Sequence, residues 1–277
     1  MTGFINIDKR EGDTSAYAVN RIKGLFKSPC GHMGTLDPLA SGVLPIGIGN
    51  ATRLFDYFLD KSKTYLAHFQ FGVTTETLDR ESELIYGGKI PTQEEIERVL
   101  PQFLGEIDQI PPVYSAKCVD GKRSYELARQ GTPPSLAPKR VKIEGFRLLE
   151  QTATNEFSFE IICGGGTYIR ALARDLAAAL DTQGFMSGLR RTASGIFTLE
   201  TAVPLEKLTK ENRFDYLIPT EEVLPFPVLD VMDEKLYNGL KLPCKEQDGL
   251  YKLYRGGEFY GLARVEEGLV KTEKKLC

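Results

Sequence analysis

The spacing of apolar positions divides the chain into strands and helices of an α+β protein. Residues 3–7 (Gly-Phe-Ile-Asn-Ile) read as a short strand, followed by the turn Asp8-Lys9-Arg10-Glu11-Gly12. Ala16, Val19, Ile22, Leu25 and Phe26 then recur at helical spacing behind the capping types Asp13, Thr14 and Ser15, so a helix is predicted over 15–27. A helix over 51–59 and a strand over 64–73, with Tyr65, Ala67, Phe69 and Phe71 alternating, come next. Residues 76–88 are polar and turn-like. Thr92 with Glu95 three positions on is a capping box, and Ile96, Val99, Leu100, Phe103 and Leu104 give the helix behind it an apolar face.

Pro111 and Pro112 hold residues 110–115 extended. A short helix over 125–130 closes at Gly131. Residues 141–150 and 156–163 read as strands, 171–180 as a helix and 195–199 as a strand. Pro204, Pro219, Pro225 and Pro227 mark 203–227 as a linker. The tail has a different texture: short strands over 250–254, 258–264 and 269–272 are separated by Gly256-Gly257 and Gly268. The division implied is 1–222 for a main domain, with a mixed, mainly antiparallel sheet, and 226–277 for a small β-rich one.

Composition narrows the setting. At 42% hydrophobic and 26% charged, the chain is ordinary for a globular protein. No stretch approaches the roughly 20 apolar residues of a membrane span, and the N-terminus lacks a signal-peptide layout, so a cytoplasmic protein is expected. The five cysteines have no C-x-x-C spacing and there are two histidines, which argues against a zinc site or a disulfide framework. The net charge of −3 hides a local pattern. Residues 111–147 concentrate Lys117, Lys122, Arg123, Arg129, Lys139, Arg140, Lys142 and Arg147, which suits either a polyanion groove or a solvated face.

Three stretches carry candidate chemistry. The run from Gly31 to Pro45 holds one carboxylate, Asp37, among apolar residues, three glycines and two prolines. Lys63-Thr64-Tyr65 opens a strand, and Gly166-Thr167-Tyr168-Ile169-Arg170 opens a helix. Gly164-Gly165-Gly166 fits either an anion-binding turn or a bulge allowing close approach. If the three stretches converge, they supply a nucleophile or base, a stacking ring and a cation that holds a buried carboxylate as its anion. A single acid disfavours ordinary glycoside hydrolysis, which needs two.

The segment Gly31-His32-Met33-Gly34-Thr35-Leu36-Asp37-Pro38-Leu39-Ala40-Ser41-Gly42-Val43-Leu44 closely resembles the catalytic motif of the bacterial tRNA pseudouridine synthase B family. Lys63-Thr64-Tyr65, residues 111–116 (Pro-Pro-Val-Tyr-Ser-Ala), residues 121–129, residues 166–170 and Leu189-Arg190-Arg191 follow in that family's order. The resemblance covers essentially the whole chain and implies the pseudouridine synthase fold with a C-terminal PUA-like RNA-binding domain. It also implies isomerisation of a flipped-out uridine at position 55 in the T loop of tRNA, without cofactor or metal. No obligate protein partner is evident from the sequence and a monomer is expected, though oligomeric state is not written in it. Asp37, Tyr65 and Arg170 would be catalytic, with Tyr65 stacking on the uracil and helping remove the C5 proton. Lys9, His32, Tyr168 and Leu189 would bind the target nucleotide, and Lys139, Arg140, Arg190 and Arg191 the surrounding RNA. Whether Asp37 attacks C1′, adds to C6 or abstracts a sugar proton stays open. Three positions depart from the family's habit: Arg10 where proline is usual, Met33 where threonine is common, and Cys118 where lysine is usual.

A non-catalytic tRNA-binding module and a glycosylase that releases free base are the rival readings.

Overall fold

The structure, a computed structural model, describes residues 2–59, 61–115, 117–119 and 121–277, so Ala116 of the 111–116 motif lies outside it. At its centre is a mixed sheet of ten strands among the described residues. The order is Val203–Pro204, Gly3–Lys9, Ser41–Ile48, Gly184–Ser194, Lys63–Phe71, Glu156–Cys163, Lys139–Ala153 and Gly105–Gln109. Cys30–His32 pairs beside Ser41–Ile48, and Phe197–Thr198 beside Gly184–Ser194. Two pairings are parallel, Gly3–Lys9 with Val203–Pro204 and Ser41–Ile48 with Gly184–Ser194; the others are antiparallel.

The alternation predicted around Tyr65 decides which face of this sheet is buried. Tyr65, Ala67, Phe69 and Phe71 point into the core, and the next strand sets Phe157, Phe159 and Ile161 beside them. The Phe69 and Phe159 rings lie 4.9 Å apart. Each such phenylalanine, fully buried, contributes about 1.5–3 kcal/mol. Helix Ile169–Ala179 covers this face with Leu172, Ala173, Leu176 and Ala177. Helix Ser15–Phe26 buries Ala18, Ile22 and Phe26; its N-cap Thr14 accepts from the Tyr17 amide, and Lys27 ends it in the left-handed conformation. The Thr92–Glu95 capping box forms as predicted.

Five strands of this sheet depart from the pattern reading: Ser41–Ile48, Gly105–Gln109, the long Gly184–Ser194 and the short Cys30–His32 and Val203–Pro204. Ser41–Ile48 carries Gly42 and Pro45, both depleted in strands, and each has a local cause. Gly42 has φ +100°, and a Cβ there would lie 2.2 Å from the Arg191 carbonyl oxygen, so only glycine allows that approach. Pro45 pairs with Asn6 on one edge, while its carbonyl accepts from the Met33 amide on the other. Its missing donor therefore falls between the Arg190/Arg191 contacts and the Cys30–His32 contacts, where the ladder loses nothing. The expected linker is also no free tether, because Val203, Leu205, Leu208, Val223 and Leu224 are buried in the cores.

A second sheet of five strands takes the order Val228–Asp230, Gly249–Arg255, Glu258–Glu266, Leu269–Lys275 and Leu242–Pro243. It has its own core of Leu236, Tyr251, Leu253, Ala263, Val265 and Val270. Leu262 and Leu276 seat it on Phe4, Met33, Val43 and Phe58, and Asn50 donates to the Cys277 carbonyl oxygen at 2.7 Å. Among the described residues no helix is long and apolar enough to cross a membrane.

Candidate active site

The loop from Gly34 to Ala40 links Cys30–His32 to Ser41–Ile48 and carries Asp37. Being short of regular structure, it is held by side chains. Ser15, the first residue of its helix, donates to the Leu36 carbonyl (2.8 Å) and accepts from the Leu36 amide (2.9 Å). Arg191, only 1% exposed, donates to the carbonyls of Val43 (2.7 Å), Gly34 (3.0 Å) and Thr35 (3.5 Å). The Pro38 carbonyl accepts from the Gly12 amide (2.8 Å) and from Lys9 Nζ (3.3 Å). A loop with this many fixed carbonyls presents its one carboxylate in a set direction.

Arg170, in the first turn of helix Ile169–Ala179, meets that carboxylate: its Nε lies 3.0 Å from Asp37 Oδ2. The rest of its buried guanidinium reaches Asp79 Oδ2 (3.2 Å) and the carbonyls of Thr77 and Tyr114 (each 3.0 Å). Such a planar fork with every arm occupied is fixed in orientation, which a lysine could not reproduce. The helix start is itself positioned by buried Gln109, which accepts from the Tyr168 amide (2.8 Å) and donates to the Tyr168 carbonyl (3.2 Å).

Around this pair a cavity of about 240 Å³ is lined by Leu36, Tyr65, Ser115, Tyr168, Ile169 and Leu189, among others. The sequence-predicted residues Asp37, Tyr65, Tyr168, Arg170 and Leu189 thus share one wall system although up to 152 positions separate them. Burial raises the Tyr65 phenol above its ordinary pKa, and the Arg191 guanidinium pulls the other way. Burial, reinforced by Arg191, lowers His32, a half-buried residue on the adjoining strand whose Nδ1 finds no partner among the described residues. Lys139 places its Nζ over the Gly166 turn at the cavity edge. Arg140 is exposed and faces Glu106 (3.7 Å) and Asp108 (3.5 Å).

Two of the expected contacts are placed elsewhere. Arg191, expected at RNA, is buried under the Asp37 loop, where its charge serves the loop carbonyls. Lys9, expected at the nucleotide, is equally buried and donates to Arg10, Asp13 and Pro38 carbonyls. Arg190 is partly exposed but paired with Asp8 at 2.9 Å.

Residues 23–169 match the TruB family pseudouridylate synthase N-terminal domain, and residues 170–225 match the tRNA pseudouridylate synthase B C-terminal domain. The chain belongs to the TruB family of pseudouridylate synthases. It is 38% identical to tRNA pseudouridine synthase B of Clostridium kluyveri over 99% of both chains. It is 44% identical to the Caulobacter protein of that name over 86% of this chain and 79% of the other. Among solved structures, a chain of a Cbf5–Nop10–Gar1 complex superposes with a TM-score of 0.73 at 26% identity, covering 99% of this chain and 85% of that one. As a TruB-family protein it is an isomerase that forms pseudouridine in tRNA.

Asp79 escaped the sequence reading of this TruB-family site because it lies in a polar, turn-like stretch. Its signal is local: Thr77 Oγ1 donates to Asp79 Oδ1 and the Glu81 amide donates to the same oxygen, an Asx-type turn that the Thr77-x-Asp79-x-Glu81-Ser82 run could have suggested.

Lys9 carries a pH prediction. Burial lowers its pKa to about 8, while nearby Asp13, Asp37 and Glu11 act to raise it. Between pH 8 and about 10.5 the unfolded chain keeps a proton that the folded chain has shed, so this residue's contribution to stability rises with pH across that window. Relative to Lys9→Met, the wild-type protein is expected to gain stability from pH 8 to 10 in denaturant titrations. A difference independent of pH would contradict the assignment.

Proposed function

We propose that the chain isomerises the uridine at position 55 in the T loop of tRNA, with Asp37 as the catalytic carboxylate. The observation that carries this reading is the 3.0 Å contact between Arg170 and Asp37 on the wall of a cavity flanked by Tyr65 and Tyr168. A base must leave its stack to reach such a cavity, and flat rings beside it are what an extruded pyrimidine needs. The N1–C1′ bond breaks, the uracil turns while held, and C5 joins C1′; N1 takes up a proton and C5 gives one away. Asp37 works at the glycosidic end of the nucleotide. Tyr65 contributes its ring to the uracil face. It also helps remove the C5 proton, from a phenol that burial holds above its ordinary pKa. Arg170 orients Asp37, and Tyr168 and Leu189 confine the base. His32, neutral and beside the loop, stands where the vacated stack is.

The same reading takes the enzyme to act as a monomer in the cytosol. In this reading residues 1–222 are the catalytic domain and 226–277 a PUA-like domain that adds RNA contacts. Lys139 and Arg140 would meet phosphates of the T arm. The double change Lys139→Ala with Arg140→Ala is expected to weaken tRNA binding and to lower the slope of log Kobs against log salt by about 1. Lys139 is expected to carry most of it, because Arg140 faces two acids. An unchanged slope in filter-binding titrations would remove both from the RNA path.

The reading is tested by release of tritium from C5-labelled tRNA together with the mass of the product. Isomerisation frees the C5 hydrogen at constant RNA mass, a glycosylase leaves an abasic site, and a pure binder does neither.

A further inference from the structure

Buried polar atoms are normally hydrogen-bonded, and each exception needs a cause. Among the described residues several buried side-chain atoms have no partner, in Asn6, Asp8, Asp13, His32, Ser115, Arg213 and Thr220. Only one of these residues, Ser115, lines the cavity that holds Asp37. The backbone of Ser115 is fully engaged: its amide donates to the Val113 carbonyl (3.0 Å) and its carbonyl accepts from the Tyr125 amide (3.1 Å). The residue is 4% exposed. A fixed backbone and an unsatisfied hydroxyl on a cavity-lining residue describe a group waiting for a ligand.

Its place along the nucleotide follows from its neighbours. The Tyr114 carbonyl, one residue before, accepts from the same guanidinium that holds Asp37. Ser115 is therefore on the Asp37–Arg170 side of the cavity. Asp37 acts on the glycosidic bond or the atoms next to it, so that side receives the ribose and not the far edge of the uracil. A neutral hydroxyl, which can donate and accept, suits a second neutral hydroxyl better than it suits a phosphate, for which Arg or Lys would serve. We propose that Ser115 hydrogen-bonds the ribose 2′-hydroxyl of the target uridine, and so helps the site prefer RNA over DNA. The 2′-hydroxyl is the group by which a protein tells the two apart. The inference rests on the uridine reading above and deepens it.

The test is a double-mutant cycle read by equilibrium binding, with chemistry switched off by Asp37→Asn. T-arm RNA carrying uridine or 2′-deoxyuridine at the target position is titrated against Asp37→Asn and against Asp37→Asn with Ser115→Ala. The expected result is a five- to tenfold rise in Kd for the uridine RNA on losing the hydroxyl, about the worth of one neutral hydrogen bond, and less than about twofold for the deoxy RNA. Equal losses on both RNAs, or no loss on either, overturn the proposal. Ser115→Cys, close in shape but weak as a hydrogen-bonding group, runs beside the alanine variant and gives the same cycle if alanine lowers the thermal midpoint. Wild-type tritium release separates the two layers. If the wild-type enzyme releases no C5 hydrogen from T-arm RNA, the uridine reading fails and the 2′-hydroxyl contact fails with it. If release is normal but the cycle shows no coupling, only the Ser115 contact falls.

Discussion

Asp37→Asn is expected to abolish C5-hydrogen release, by at least about 10³-fold in kcat, while leaving the protein folded and bound to tRNA. The asparagine keeps the shape of the side chain and an oxygen for Arg170 Nε, so the Ser15, Lys9 and Arg191 contacts that fix the loop are untouched. What it removes is the anion. Covalent or proton-transfer chemistry at the sugar or at C6 needs that charge, whichever of the three routes is followed. The measurement is single-turnover tritium release alongside thermal unfolding. A variant within tenfold of the wild-type rate would take Asp37 out of the chemistry.

The second large effect is expected at Arg170. Removing it leaves Asp79 buried without its cation, beside the uncapped carbonyls of Thr77 and Tyr114. Breaking a buried pair by deleting one partner costs about 3–5 kcal/mol. In a chain of this size that corresponds to a fall in thermal midpoint of roughly 6–20 °C for Arg170→Ala. Arg170→Lys is expected to keep a charge near the site but not the fork that touches Asp37, Asp79 and two carbonyls together. It should recover part of the stability and little of the activity. A midpoint within two degrees of the wild-type value for the alanine variant would mean that the network is not a support of the fold.

The Arg170 site shows where sequence reading succeeds and where it stops. Asp37, Tyr65, Tyr168 and Arg170 were legible because each sits in a short motif and the order of those motifs along the chain resembles one family; local pattern alone does not show that they converge. The strands Lys63–Phe71 and Glu156–Cys163 were legible because one face is buried and the other is not, so the alternation survives in the residue types. Ser41–Ile48 was not, because seven of its eight residues are buried and it carries Gly42 and Pro45, which local propensity assigns to turns. Arg191 was misjudged for a related reason. A paired Arg-Arg in sequence suggests a solvated or phosphate-binding end, but in a strand adjacent side chains face opposite ways. One of the two therefore had to point inward, and the carbonyls of the Asp37 loop gave the buried one its partners. Asp79 was hidden because it acts through Arg170, a relation that no local pattern records.

The most direct test of the central claim is the count of tritium released per molecule of unmodified tRNA labelled at C5 of every uridine. The account predicts one equivalent from the wild-type enzyme, with RNA mass otherwise unchanged, and none when the single T-loop target uridine is replaced by cytidine. Release that persists after that replacement, or an abasic site in place of a new C–C glycosidic bond, would contradict it.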